Sequence, residues 1–186
     1  MRIKKILLSL STFVLLICSA LAFAGCLPGF FVDTDSDAAR KDLESLIKCM
    51  ENDDHDGVKN LFAANHIENI DNFDKDIDEL LVYFDGEFVS HNFDMPSTDD
   101  DVNGKLRRKW FIISADIVTT TDTYFLCSYW CEKDTSDKNN VGIWSIFIFN
   151  HNDNPDRDFS FYPGSWGDEV MDGIHIIKYV DGQLES

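Results

Sequence analysis

Apolar residues recur with one spacing in the first half of this chain and another in the second. Ala39, Leu43, Leu46, Ile47 and Met50 lie three or four apart, which predicts a helix with one buried face. Asp35 or Ser36 would cap it, placing carboxylates at the positive end of the helix dipole. Asn52-Asp53-Asp54 interrupts the pattern. Val58, Leu61 and Phe62 predict a shorter helix over about 56–64, and Phe73, Ile77, Leu80, Leu81 and Phe84 predict a third over about 72–84. The other side of the third carries Asp74, Asp76, Asp78 and Glu79, a solvated face.

Beyond Gly86 the period shortens to two. Residues 87–93 read as a strand, and a polar loop follows through Pro96 and Asp99-Asp100-Asp101. Three long runs come next, 105–120, 123–133 and 141–150, joined by turn-forming Thr/Asp and Ser/Asp/Asn segments. Residues 173–177 read as a closing strand. Helices first and an antiparallel sheet second argue for an α+β domain, with three N-terminal helices packed on one sheet face. The run at 105–120 is apolar on both faces: Phe111, Ile113, Ala115 and Ile117 alternate with Trp110, Ile112, Ser114, Asp116 and Val118. An antiparallel sheet ordinarily leaves one face wet. A second covered face therefore calls for a ligand cavity, a C-terminal segment laid across it, or a homodimer.

The first residues change the picture from a free domain to an exported one. Arg2, Lys4 and Lys5 precede an apolar run over 6–23, and Ala24 and Gly25 stand just before Cys26. A basic start, an apolar middle and a small-residue end describe a cleaved secretory signal. The run is also long enough to span a bilayer as an uncleaved helix, so the residues at its end decide. Phe23-Ala24-Gly25-Cys26 resembles the lipobox of bacterial lipoproteins, which implies that Cys26 is acylated and becomes the mature N-terminus. The expected organisation is a signal peptide at 1–25, a lipidated tether at 26–35 and one α+β domain at 36–186, held at the cell membrane and facing away from the cytoplasm. Cleavage removes three positive charges and moves the net charge from −18 to −21. That excess excludes nucleic acid as a partner, because such binding needs a basic face. Aromatic residues make up 13% of the chain, too many for a disordered acidic tail.

Candidate chemistry is sparse. Cys127 and Cys131 fall four apart in a strand, about 13 Å and too far for a direct bridge. With Cys49 they read as small buried residues. The sequence contains no Gly-rich phosphate loop, no HExxH and no EF-hand loop, and no cofactor or metal is expected. Gly164-Ser165-Trp166-Gly167 lacks the spacing of a nucleophile elbow, and the acidic run at 150–158 lacks the central Gly and distal Glu of a calcium loop. Asp116 is the one catalytic candidate: a mid-strand carboxyl among apolar neighbours, either a general base if enclosed or paired with Arg107 or Arg108 if not. His175, between Ile174 and Ile176, reads as structural. Trp110, Tyr124, Trp130 and Trp144 are the candidate pocket lining, with Tyr129 and Trp166 as further aromatics.

Four short motifs carry a resemblance to a known family. They are Asp56-Gly57-Val58-Lys59-Asn60-Leu61-Phe62; Ile77-Asp78-Glu79-Leu80-Leu81 with Tyr83-Phe84 and Gly86-Glu87; Asn140-Val141-Gly142-Ile143-Trp144-Ser145; and Gly173-Ile174 with Ile176. From about Leu43 to Ile176 the chain resembles the bacterial lipoprotein family of domain-of-unknown-function 5104. The resemblance implies a nuclear-transport-factor-2-like, cystatin-like cone, in which a bent antiparallel sheet wraps around three helices. It brings no activity and no site residues. A sheet apolar on both faces, without a catalytic constellation, makes the expected function non-enzymatic binding of a small apolar ligand or of another envelope protein. The alternative is a cone-fold isomerase, dehydratase or hydrolase using Asp116.

Overall fold

The computed structural model describes residues 34–68, 70–94, 96–102, 104–153, 171–180 and 183–185. Helix α1 (Thr34–Glu51) carries Asp35 and Asp37 in its first turn and buries Ala39, Leu43, Leu46, Ile47 and Met50. It stops where Asp53 takes a left-handed conformation, φ 51°. Asp54 then caps α2 (His55–Leu61) by accepting a hydrogen bond from the Gly57 amide at 2.9 Å. Helix α3 (Ala64–Ile67) is a single turn that the apolar spacing did not predict, so four helices stand where three were expected among the described residues. Asn72, at φ 63°, leads into α4 (Phe73–Tyr83), which buries Phe73, Ile77, Leu80 and Leu81.

The strands are β1 (Phe88–Phe93), β2 (Ser97–Val102), β3 (Leu106–Thr119), β4 (Thr123–Asp134), β5 (Gly142–Asn150) and β6 (Gly173–Ile176). They form one curved, open, six-stranded sheet in the order β1-β3-β4-β5-β6, with β2 also paired to β3. β1 lies along the second half of β3 and β2 along the first. A small hairpin, β7 (Lys178–Val180) with β8 (Gln183–Glu185), stands apart from this sheet.

Two expectations are corrected here. The acidic stretch read as a loop is the edge strand β2, with Asp100 opposite Lys109 and Asp101 opposite Arg108. Every residue of β2 is exposed, so the polar pattern that argues for a loop also suits an edge strand, where charge guards against further pairing. The closing strand β6 is parallel to β5, not antiparallel. Residues 151–172 separate the two, long enough for the crossover that a parallel pair needs.

The helices pack on one face of the sheet. Leu43, Leu46, Ile77 and Leu80 meet Phe111, Ile113, Ile117, Leu126, Ile146 and Ile148 in a continuous core. Each such side chain contributes about 2 kcal/mol by leaving water. Gly142 lies where the α2–α3 segment meets the sheet. The amide of Ala63 donates to the Ile143 carbonyl at 2.9 Å, and a Cβ on Gly142 would lie 2.6 Å from the Leu61 carbonyl oxygen. Its φ of 129° also favours glycine.

Candidate functional site

The opposite face of the sheet is buried too, and its composition differs. Ile112, Cys127, Tyr129, Phe147, Phe149 and Ile177 form a second cluster, with Trp110, Phe125 and Trp144 packed at its margin. Ile177 comes from the chain just after β6 and donates its amide to the Ile148 carbonyl at 2.9 Å. At one end of this face a groove of about 310 Å³ is lined by Asp99, Asp100, Asp101, Arg108, Trp110, Tyr129 and Trp144.

Two irregularities in the strands shape it. β4 pairs Trp130 with Ile143 and Tyr129 with Ser145, which leaves Trp144 as the extra residue of a bulge. Ile143 and Ile146 can then both face the helices although they lie three apart. Trp144 is turned to the other side, where it packs on Tyr129 (ring centroids 5.7 Å apart) and edge-on against Trp110 (6.1 Å). Its Nε1 donates to the Asn140 carbonyl at 2.7 Å, and His66 stacks on its ring at 4.0 Å. His66 is held in turn by Asp172, Nδ1 to Oδ1 2.6 Å. A second register shift, between Lys109 and Trp110, adjoins the groove on β3.

The electrostatics of the groove are acidic. Arg108, its basic residue, directs Nε to Asp134 at 2.9 Å. Burial alone would raise the Asp134 carboxyl. Hydrogen bonds from the Asn140 and Ser136 side chains and from the Ser136 and Asp137 amides outweigh burial and hold it far below the usual range. Lys109 is engaged by Asp35 and lies 3.7 Å from Glu132. Among the described residues no Lys, Arg or His forms an ion pair with Asp99, Asp100 or Asp101. Burial, and then the charges of Asp99 and Cys131, push the Tyr129 hydroxyl up to about 12, so it stays a neutral phenol. The indole Nε1 of Trp110 is buried without a hydrogen-bond partner among the described residues.

Of the four expected lining residues, Trp110 and Trp144 come together here with Tyr129. Tyr124 and Trp130 do not: both lie in the helix-facing core. The Tyr124 hydroxyl donates to the Tyr83 carbonyl at 3.1 Å and accepts from the Asp85 amide at 2.9 Å. Alternation along β4 places them there, since Tyr124, Leu126 and Trp130 follow one face and Tyr129 the other.

Asp116 lies on the same face as the groove, half-buried, with Oδ1 at 3.1 Å from His151 Nε2. Its hydrogen-bonding partner is thus a histidine beyond β5 rather than Arg107 or Arg108. His175 stacks on Phe147 at 4.6 Å and reaches the Met171 carbonyl at 3.2 Å. Cys49, Cys127 and Cys131 are free, and burial raises each thiol above its ordinary value. Another carboxyl, missed in the sequence, is perturbed: burial and then the charge of Glu132 push Asp42 of α1 up to about 6. Only the i, i+3 and i, i+4 apolar neighbours of Asp42 were visible in the sequence, not its approach to β4. Among the described residues no group of His, Cys, Asp and Glu is placed to hold a metal, and no helix is long and apolar enough to cross a membrane. Cys26, Trp166, the 164–167 turn and most of the acidic run at 150–158 lie outside the described residues.

A sheet with helices on one face and an aromatic groove on the other defines a mixed α+β domain with a surface cleft. The chain belongs to the family described as Domain of unknown function (DUF5104), which matches residues 45–151. The match includes every residue lining the groove and ends before β6, short of the last motif at Gly173–Ile176. No curated protein matches the chain.

Proposed function

We propose that this protein is a lipid-anchored binding protein of the bacterial envelope, tethered through Cys26, whose groove on the helix-free face takes a small molecule with an apolar body. The observation that carries this reading is the bulge that takes Trp144 out of the β5 alternation and sets it beside Trp110 and Tyr129. Bulges commonly re-aim a side chain at a site, and a cleft of about 310 Å³ walled by aromatic rings suits a small ligand. The helix-facing side is filled by its own core, which leaves the opposite face for a ligand. The enzymatic alternative draws on the Asp116–His151 pair, an imidazole–carboxylate unit able to move a proton. Binding is preferred because the enclosing aromatic rings gather around the groove.

Native mass spectrometry of the full chain, released from membranes in mild detergent, tests the reading. A retained small molecule that disappears in Trp144→Ala is expected. A clean apo mass, together with no saturable binding of any apolar probe, would rule it out. Incorporation of labelled palmitate, lost in Cys26→Ser, is expected for the anchor.

A further inference from the structure

We infer that the groove selects a small organic cation, an alkylated ammonium group, as the polar end of its ligand; this rests on the groove being a binding site at all. The walls are the first reason. The Trp144 ring lies 6.1 Å from Trp110 and 5.7 Å from Tyr129, and aromatic faces attract a cation that is costly to strip of water only when it is small and strongly hydrated. Among the described residues no Lys or Arg lies over either indole ring, and of the two only Trp144 has a stacked imidazole, that of His66, on one face.

Charge is the second reason. Asp99, Asp100 and Asp101 line the same groove, and the bases opposite them on β3 are committed elsewhere, Arg108 to Asp134 and Lys109 to Asp35. Asp99 and Asp101, opposite Trp110 and Arg108 on β3, are thus left on the groove's side of β2 without an ion-pairing base among the described residues, in a protein whose net charge is −18. The overall field draws cations in.

A metal ion fits less well than an organic cation. Successive side chains of a strand point to opposite sides, so the carboxylates of β2 cannot converge on one small ion with the short oxygen contacts that calcium or magnesium requires. They can instead surround a bulky charge at longer range. An anion would meet Asp99 and Asp101, and a neutral apolar molecule would leave them without a role in recognition.

Calorimetric titration of the full chain in detergent with choline, and with its neutral isostere 3,3-dimethylbutan-1-ol, decides the matter. Choline is expected to bind saturably and about tenfold or more tightly than the isostere, the scale of a cation–π contribution with carboxylate support. Asp99→Asn combined with Asp101→Asn should weaken choline several-fold and reduce its salt dependence while leaving the isostere unchanged. Trp144→Phe, which keeps a ring but loses the indole, should weaken choline with the circular dichroism spectrum retained. Equal affinity for the two probes would overturn the cation and leave the groove as a binding site. Binding of neutral indole but of neither choline nor the isostere would overturn it in the same way. Absence of saturable binding by all three would remove both the cation and the binding reading.

Discussion

The two faces of the β3–β4–β5 sheet are both buried, but by different chemistry. Against the helices the layer is mainly aliphatic: Ile113, Ile117, Leu126, Ile143, Ile146 and Ile148 interlock with Leu43, Leu46, Ile77 and Leu80. On the other side the large residues are aromatic, Tyr129, Phe147, Phe149, Trp110 and Trp144, and polar atoms intrude at Asp116, Cys127 and Trp110 Nε1, which has no hydrogen-bond partner among the described residues. Aliphatic side chains fill space at low cost and specify a single packing. Aromatic side chains with polar edges, set by strand bulges, give rigid surfaces that a ligand can share. The same sheet thus serves as the wall of a core on one side and the floor of a groove on the other.

Substitutions at the helix-facing side should act on folding, and those at the groove should act on binding. Gly142→Ala carries the largest expected effect. A methyl group there meets the backbone of Leu61, Phe62 and Ala63 at 2.6–2.9 Å, with φ at 129°, so the contact between helices and sheet must open. A loss of about 3 kcal/mol or more in urea denaturation is expected. Near-wild-type stability would mean that the helices are not seated on the sheet through this point.

Asp134→Asn ranks second. It removes an anion that accepts from Arg108, Asn140, Ser136 and the Asp137 amide, and should cost about 2 kcal/mol at pH 7. The Asp134 carboxyl titrates well below its unfolded value of 3.8, so its contribution is complete above that value. It is lost only as pH falls further, through the folded value. The variant should therefore differ most from wild type near neutrality, with the gap closing in strong acid.

Asp42 behaves with the opposite sign. Its proton is held more tightly in the folded protein, about 6 against 3.8 unfolded, so it costs stability above pH 6. That cost fades between about pH 6 and pH 4 as the folded protein takes up the proton. Asp42→Asn should stabilise by about 1 kcal/mol at pH 7, after allowance for solvent screening, and by nothing near pH 4. Denaturation curves at the two pH values check this. A gain that persists at pH 4 would point to packing rather than charge.

Trp110→Phe should have the smallest effect on folding, within about 1 kcal/mol, because it trades apolar area for removal of a buried donor that has no partner among the described residues. Its effect on choline binding should be larger. Should it unfold the protein while sparing binding, the division between the two faces would fail.

The helices and the three long strands were legible because their apolar residues repeat with unambiguous periods, and burial of Leu43, Ile77 and Ile113 follows from those periods. The groove was legible only in part. Trp110 and Trp144 stood out as large aromatics in strands, but Tyr124 and Trp130 look the same in one dimension, and only strand alternation within the sheet separates them. Asp99–Asp101 read as a loop because an edge strand in water shows no apolar alternation. The parallel direction of β6 leaves no local trace, since a four-residue strand has the same pattern in either sense.

What the sequence by itself determined is whatever depends on neighbours along the chain: the signal-like start with Cys26 behind it, the acidic balance, the α-then-β order and the helix-facing core. These rest on composition and on periods of 3.6 and 2, which are local properties. What only the tertiary structure decided depends on residues brought together from distant segments. Trp144 leaves the alternation of β5 because one strand holds an extra residue against its neighbour, and register is a relation between two strands. Three aspartates become the rim of an aromatic groove because β2 pairs with the first half of β3, and the bases opposite them are drawn away to Asp134 and Asp35.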